Sequence, residues 1–170
     1  AKTGDPQLEA RAVGAVCGGV DVWSLYVPNG REIGDPHYDY KLQFLWSLAD
    51  QVQPGELQVY MGDFNVAPRD EDVWDVSAFA GATHVSEPER EAFAAFESVG
   101  MSEVTRPHVT NYTFWDYQRL RFPRNEGMRI DFQLFSPALA ARVERAWIDK
   151  VERAGEGASD HTPVVVEIAD

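Results

Sequence analysis

The densest chemistry in the chain lies in Gly62-Asp63-Phe64-Asn65, at the end of the apolar run Leu57-Gln58-Val59-Tyr60-Met61. The run reads as a buried strand. Successive strand side chains alternate faces, so Asp63 and Asn65 point one way and Phe64 turns back into the core. Gly62 lets the backbone turn where a ligand comes close. A carboxylate and a carboxamide at a strand end can hold a metal-bound phosphate and a water; the same pair can also simply cap a turn. Three further sets share this setting. Tyr26 and Asn29 stand in Tyr26-Val27-Pro28-Asn29-Gly30, where Pro28 ends the ladder because it has no donor. A core tyrosine and a turn asparagine are the plain alternatives there. Asp131 sits in Arg129-Ile130-Asp131-Phe132-Gln133-Leu134-Phe135, opposite the face of Ile130, Phe132 and Leu134. An ionisable group in so apolar a strand needs a partner or a task. Ser159-Asp160-His161-Thr162-Pro163 precedes the last apolar run. Asp beside His there delivers a general base or a metal-linked pair, or caps a turn. Each set falls at a strand terminus or its adjoining loop, so one site could collect them all.

The elements that must position these residues follow from periodicity and punctuation. Glu9 to Cys17 and Val20 to Val27 predict two strands joined at Gly18-Gly19 as a hairpin. Tyr38 to Val52 predicts an amphipathic helix, with Leu42, Leu45, Ala49 and Val52 at helical spacing, ended by Pro54-Gly55. Strand, helix, strand with these spacers is a crossover unit, so parallel neighbours are expected. Asp70-Glu71-Asp72 reads as a solvated turn. Ser86-Glu87-Pro88-Glu89 predicts a capping box opening a helix with Phe93, Phe96 and Val99 on its core face. Tyr112 to Tyr117 reads as a short aromatic strand, Arg142 to Val151 as a strand, and Val164 to Ile168 as the last one. Arg119, Arg121, Arg124 and Arg129 are the one basic cluster, either a nucleic-acid contact or a solvated loop beside core aromatics.

Composition bounds the whole. At 170 residues, with 44% apolar and 25% charged content, the chain is long enough for one domain with a real core. No apolar run approaches membrane-spanning length, and no membrane partner is expected. Cys17, the single cysteine, excludes an internal disulfide and fits a reducing, cytoplasmic setting. It is expected as a small core thiol. The net charge of −13 argues against a plain nucleic-acid coat but not against an enzyme using a divalent cation, which supplies its own positive charge. The opening, with Gly4, Asp5 and Pro6, reads as a loop, so a fragment or processed piece is expected.

In this order and with these neighbours the chain resembles the exonuclease III family of abasic-site endonucleases, within the endonuclease/exonuclease/phosphatase superfamily. The matching pieces are Tyr26 to Gly30, Gly62 to Pro68, Thr83 to Arg90, Tyr112 to Tyr117, Arg129-Ile130-Asp131 and Ser159 to Pro163. The aromatic segment followed by Arg129-Ile130-Asp131 points to the DNA-repair branch. The resemblance implies a four-layered α/β sandwich, two packed sheets flanked by helices. It implies hydrolysis of a phosphodiester with Mg²⁺, Mn²⁺ being the alternative ion. His161 would contact the scissile phosphate, and Asp131 would hold His161. Asp63 would handle the proton of the attacking water or of the leaving group, with Asn65 orienting both. Tyr26 would support the phosphate or leaving oxygen. Asp160, Asp63 and Asn65 would lie around the metal. Asn29 and Asn65 would line the DNA side. Phe114, Met128 and Ile130 would wall the pocket for a flipped-out, baseless sugar, which is cheap to extrude because nothing must be unstacked. Trp115 and Thr83-His84-Val85 would contact DNA. The expected partner is duplex DNA with abasic or 3′-blocked ends; the oligomeric state is left open.

The family also carries a principal metal-binding Glu and another Asn in an amino-terminal half. Nothing before Tyr26 supplies them, and Glu9 lies at the start of the hairpin. Residues 1–170 are therefore expected to be one domain lacking its amino-terminal portion, poorly metal-loaded and weakly active or inactive as an isolated chain. Two other readings stand beside this one: another phosphodiesterase or phosphatase of the superfamily, and a non-catalytic fragment that only binds nucleic acid or a partner.

Overall fold

The computed structural model describes residues 9–169, so the polar opening around Gly4, Asp5 and Pro6 lies outside the described residues. The first hairpin forms as the sequence predicts. Strand β1 (Ala12–Cys17) pairs antiparallel with β2 (Val20–Tyr26). Gly18 and Gly19 both take left-handed φ, 59° and 82°, as a two-residue turn matched to strand twist requires. Helix α1 (Pro36–Ala49) follows. Asp35 caps it by accepting from the His37 amide at 2.7 Å, and Pro36 fits the first turn, where no donor is needed. The chain returns through β3 (Gln58–Asp63), parallel to β2. Helix α2 (Glu87–Ser98) opens on the predicted box of Ser86 and Glu89. Short β4 (Ser102–Glu103) and then β5 (Asp131–Phe135) complete a sheet of order β1-β2-β3-β5-β4, with β5 antiparallel to β3.

The two faces of this sheet bury different partners. Tyr60, Phe64, Phe132 and Leu134 pack against Leu45 and Leu48 of α1 and Phe93 and Phe96 of α2. On the other face Val59, Phe135 and Met61 meet Val143 and Val166. Those two residues belong to a second, two-stranded sheet of β6 (Val143–Ile148) and β7 (Val164–Ile168). Leu139, from the single turn α3 (Pro137–Ala140), fills the same space. The fold is mixed α/β with two packed sheets. The described residues supply three of the expected layers: helix pair, large sheet, small sheet. No described helix is long and apolar enough to cross a membrane.

Several expectations are corrected. Cys17 is exposed, not a core thiol, because β1 is an edge strand with one neighbour; Val13 and Val16 stand out with it at 67% and 74% exposure. Tyr112 to Tyr117 is a loop touching others through isolated bridges, Phe114 to Met128 and to His161. The strand predicted to Val151 stops at Ile148, where Asp149 turns to bond Pro163 and Thr162, and α4 (Lys150–Arg153) follows. Asp72 is buried, not solvated: Arg106 grips both carboxylate oxygens at 2.9 and 2.7 Å. Arg129 is buried too and donates to the Val109 carbonyl at 2.8 Å. Arg121 and Arg124 share Glu126, so the basic cluster is largely internally paired.

Candidate active site

Strand direction brings the predicted residues together. Parallel pairing puts the carboxyl ends of β2 and β3 side by side, so Tyr26 stands opposite Asp63. Antiparallel pairing brings the beginning of β5 to the same edge, so Asp63 stands opposite Asp131. Directly paired residues share a face. Tyr26, Asp63 and Asp131 therefore form one row, on the side of the second sheet. The loop into β7 delivers His161 to that row. Gly62 makes the close pairing feasible: its φ is 135°, and a Cβ there would lie 2.1 Å from the Leu25 carbonyl oxygen.

The row is electrostatically unbalanced. His161 Nδ1 lies 2.9 Å from Asp131 Oδ2, which leaves Nε2 as the nitrogen available to a substrate. Burial works against charge on this imidazole. The hydrogen bond and charge of Asp131, with Asp63 and Asp160 behind them, outweigh it and hold the His161 pKa above its ordinary value. Asp63 is pushed up to about 7, chiefly by burial and then by Asp131 opposite. Its two oxygens accept from the Asn65 amide N–H and from Asn65 Nδ2, both at 2.8 Å. Asp160 is half-exposed; its carbonyl accepts from the Trp115 amide at 2.9 Å, and its carboxylate accepts from Ser159 Oγ at 3.5 Å. Tyr26 is 59% exposed with the Arg11 guanidinium over its ring.

A second group stands behind Asp63. Asn29 Nδ2 donates to Asn65 Oδ1 at 3.3 Å, and His84 Nε2 reaches the same oxygen at 3.1 Å. Asn65 Nδ2 also donates to the Val27 carbonyl at 2.9 Å. Burial, then the charge of Lys41, pushes His84 down to about 4, so its ring is neutral at pH 7. Phe64 is fully buried, as strand alternation predicts.

The structure separates the residues expected to touch DNA. Asn29 is exposed, and Phe114 and Met128 are half-buried walls of a cleft of about 150 Å³ that Trp74, Phe79 and Arg121 also line. The Phe114 ring lies 4.9 Å from the His161 ring. Trp115, Ile130, Thr83 and His84 are corrected, since all four are buried. Trp115 packs edge-on against Tyr112 and Phe122. Ile130 lies with Ala67 and Val73 in a small core. Thr83 Oγ1 holds His84 Nδ1 at 3.0 Å. Sequence reasoning also missed Thr113. Its Oγ1 donates to Asp131 Oδ2 at 2.6 Å and accepts from the Ile130 and Asp131 amides at 3.1 Å. The signal for it was a threonine beside an aromatic segment, which carries no spacing to any acid.

Among the described residues no three His, Cys, Asp or Glu side chains converge as a ready ligand set. Mg²⁺ asks for less, one or two carboxylates completed by water and substrate phosphate. Asp63, whose carboxylate is destabilised by burial and then by Asp131 opposite, is a donor whose charge such an ion would stabilise. Asp160, the nearby half-exposed carboxylate, offers a second donor.

A model of the Endonuclease/Exonuclease/phosphatase family matches residues 7–161. An exodeoxyribonuclease of Bacillus subtilis is 32% identical over 92% of this chain and 63% of its own. An AP endonuclease from Archaeoglobus fulgidus has a solved structure that superposes with a TM-score of 0.89 at 33% identity, over 98% of this chain and 68% of that one. A 3′ phosphatase, NExo, from Neisseria, solved bound to a product DNA hairpin, gives 0.89 at 34% identity over 94% and 65%. The chain thus spans about 60% of the length of curated relatives it matches, 63% for the Bacillus subtilis exodeoxyribonuclease.

Proposed function

The chain belongs to the Endonuclease/Exonuclease/phosphatase family, and from that premise we propose that it is the larger portion of a DNA-repair phosphodiesterase domain, an abasic-site endonuclease with 3′-to-5′ exonuclease capacity on duplex DNA. The observation that carries the reading is the row of Asp63, Asp131 and His161 along one sheet edge. Asp131 fixes His161 through Nδ1 and, against burial, raises its proton affinity, so Nε2 is turned toward a phosphodiester as a donor. Asp63, near 7, accepts the proton of the attacking water at the pH where base strength and ionised fraction are best matched. Asn65 holds both oxygens of Asp63 in place. Tyr26 supports the leaving oxygen at the exposed end of the row. Asp63 and Asp160, with Asn65 beside them, would hold a divalent cation, Mg²⁺ or Mn²⁺, which supplies Lewis-acid charge to the phosphate when bound. Phe114 and Met128 wall the cleft that takes a baseless sugar. The name of the Neisseria relative supports extending the substrate to 3′-blocked ends. A cytoplasmic setting accords with the free thiol of Cys17.

The test is incision of a duplex carrying one abasic site, and release of phosphate from a 3′-phosphorylated duplex, with Mg²⁺ and with EDTA, beside His161→Ala. The expected result is metal-dependent turnover that the variant loses. Hydrolysis confined to lipid or nucleotide phosphates would move the protein to another branch of the superfamily. DNA binding without turnover, indifferent to His161→Ala, would leave only the non-catalytic reading.

A further inference from the structure

We propose that the buried Lys41–Glu89 ion pair is a positioning element of this site, fixing Asn29 and Asn65 and through them the carboxylate of Asp63. The inference rests on the function proposed above. Lys41 lies on the buried side of α1, among Tyr38, Leu45 and Leu48, where helical periodicity calls for an apolar residue. Lysine and glutamate are almost never fully buried. Here both side chains have no exposure at all.

Their bonds are not spent on each other alone. Lys41 Nζ has three donors. They reach the Asn29 carbonyl at 3.2 Å, the Asn65 carbonyl at 2.6 Å, and Glu89 Oε1. Glu89 Oε1 also accepts from the His84 amide at 2.9 Å, and Oε2 accepts from the Ser86 amide and hydroxyl at 3.2 and 2.6 Å. So the ammonium holds the backbones of both site amides, and the carboxylate holds the backbone of the histidine between them. A polar network satisfied this fully is rigid.

Rigidity is needed because two of these residues hold an uncommon backbone. Asn65 and His84 have φ of 50° and 79°, a left-handed conformation that few side chains other than glycine adopt, asparagine more readily than histidine. Such conformations persist where their surroundings over-determine them. Asn65 in turn grips both oxygens of Asp63. The path is short: Lys41 to the Asn65 carbonyl, Asn65 amides to Asp63. An ion pair kept for stability alone has a weak rationale, since apolar replacements of a buried pair are often as stable. The carbonyls it holds account for two full charges at this place.

The test is Lys41→Met with Glu89→Gln in the full chain. The pair of changes removes both charges, keeps an acceptor for the His84 amide, and takes the donor from the two carbonyls. The first readout is the side-chain NH₂ signals of Asn29 and Asn65 by NMR. The expected result is a folded protein in which both signals shift, that of the buried Asn65 toward a solvent-exposed position. Cleavage of the abasic duplex with Mg²⁺ should fall roughly 100-fold in kcat, with KM within about twofold, as for a displaced reacting group. A folded double variant with both amide signals and kcat unchanged would overturn the proposal and leave the pair merely structural. Should the double variant not fold, Glu89→Gln alone is read by the same amides. If the unaltered chain cleaves no phosphodiester, the function proposed above fails, while the amide signals still decide the positioning role.

Discussion

Asp63 stands between two groups of polar residues built on opposite terms. On one side, Asp131, His161 and Asp160 meet at the mouth between the sheets, half-exposed, with more negative than positive charge. On the other, Asn29, Asn65, His84, Lys41 and Glu89 close around one another, most of them buried and every charge matched. The first group is left electrostatically unfinished: burial and then the facing Asp131 push Asp63 up to about 7, and Asp131, against burial, holds the His161 pKa above its ordinary value. The second leaves no slack. The difference separates two tasks that one carboxylate needs done for it: a neighbour that tunes its proton affinity, and a support that tells it where to be. A buried network placed on the tuning side would fix the charges and forbid a substrate. A loose, solvated group on the support side would let Asn65 relax out of its left-handed conformation.

The largest effect should come from the unfinished side. His161→Ala removes the imidazole that Asp131 turns toward the phosphate and is expected to lower kcat by about 1,000-fold or more, with Tm little changed, because the ring is not core. Single-turnover incision beside a thermal melt checks both parts. Equal losses in activity and Tm would mean that His161 belongs to the support group after all, and the contrast would collapse.

The support side should answer to pH instead. His84 falls from its ordinary 6.5 to about 4 in the fold. Between those values the unfolded chain takes up a proton that the folded chain does not, so this residue's share of stability is whole above 6.5 and is lost as pH falls toward 4. Asp63 and His161, raised in the fold, act in the opposite direction, so the measurement is a difference. His84→Asn, which tolerates the left-handed backbone, is compared with the unaltered chain by urea unfolding from pH 7.5 to 4. The gap between the two should change by about 3 kcal/mol at most over that window, with the unaltered chain losing ground as pH falls. A constant gap would mean that His84 titrates normally and is not enclosed.

Thr113 sharpens the contrast because it ties the mouth to the interior. Its hydroxyl serves Asp131 and two backbone amides at once. Thr113→Val keeps the shape and leaves two buried donors without a partner. The expected cost is about 2 kcal/mol in stability and a 10- to 100-fold loss in kcat. A stability loss with full activity would show that Asp131 holds His161 unaided.

What the sequence made legible divides along the same line. The mouth was readable because Asp63, Asp131 and His161 each interrupt an apolar strand or precede one, and strand ends are marked by Gly62, Pro28 and Pro163. The hairpin, the crossover and the Ser86–Glu89 box were readable for the same local reasons. The support was not. Lys41 passed unread and Glu89 read as half of a cap, since nothing local says that two charges 48 positions apart share one buried space. Thr113 and Asp72 failed likewise, each being decided by a partner far along the chain. Trp115 and Ile130 were expected at the DNA because the resemblance implied it; both are buried, and the Arg129 guanidinium beside Ile130 turns inward.

The smallest expected effect lies far from both groups, and it fixes their zero. Cys17 stands on the outer strand of the first hairpin, where β1 has a single neighbour and Val13 and Val16 are also open to solvent. A side chain with no packing to lose contributes little, so Cys17→Ser should change stability by less than about 0.5 kcal/mol and leave incision unaltered. The native thiol should react with a disulfide reagent in full, because its side chain is exposed. Slow or partial reaction would mean that this edge is covered in solution. The five-stranded sheet would then continue past β1, and a hairpin that here carries no share of the site's support would have to be counted with the buried side.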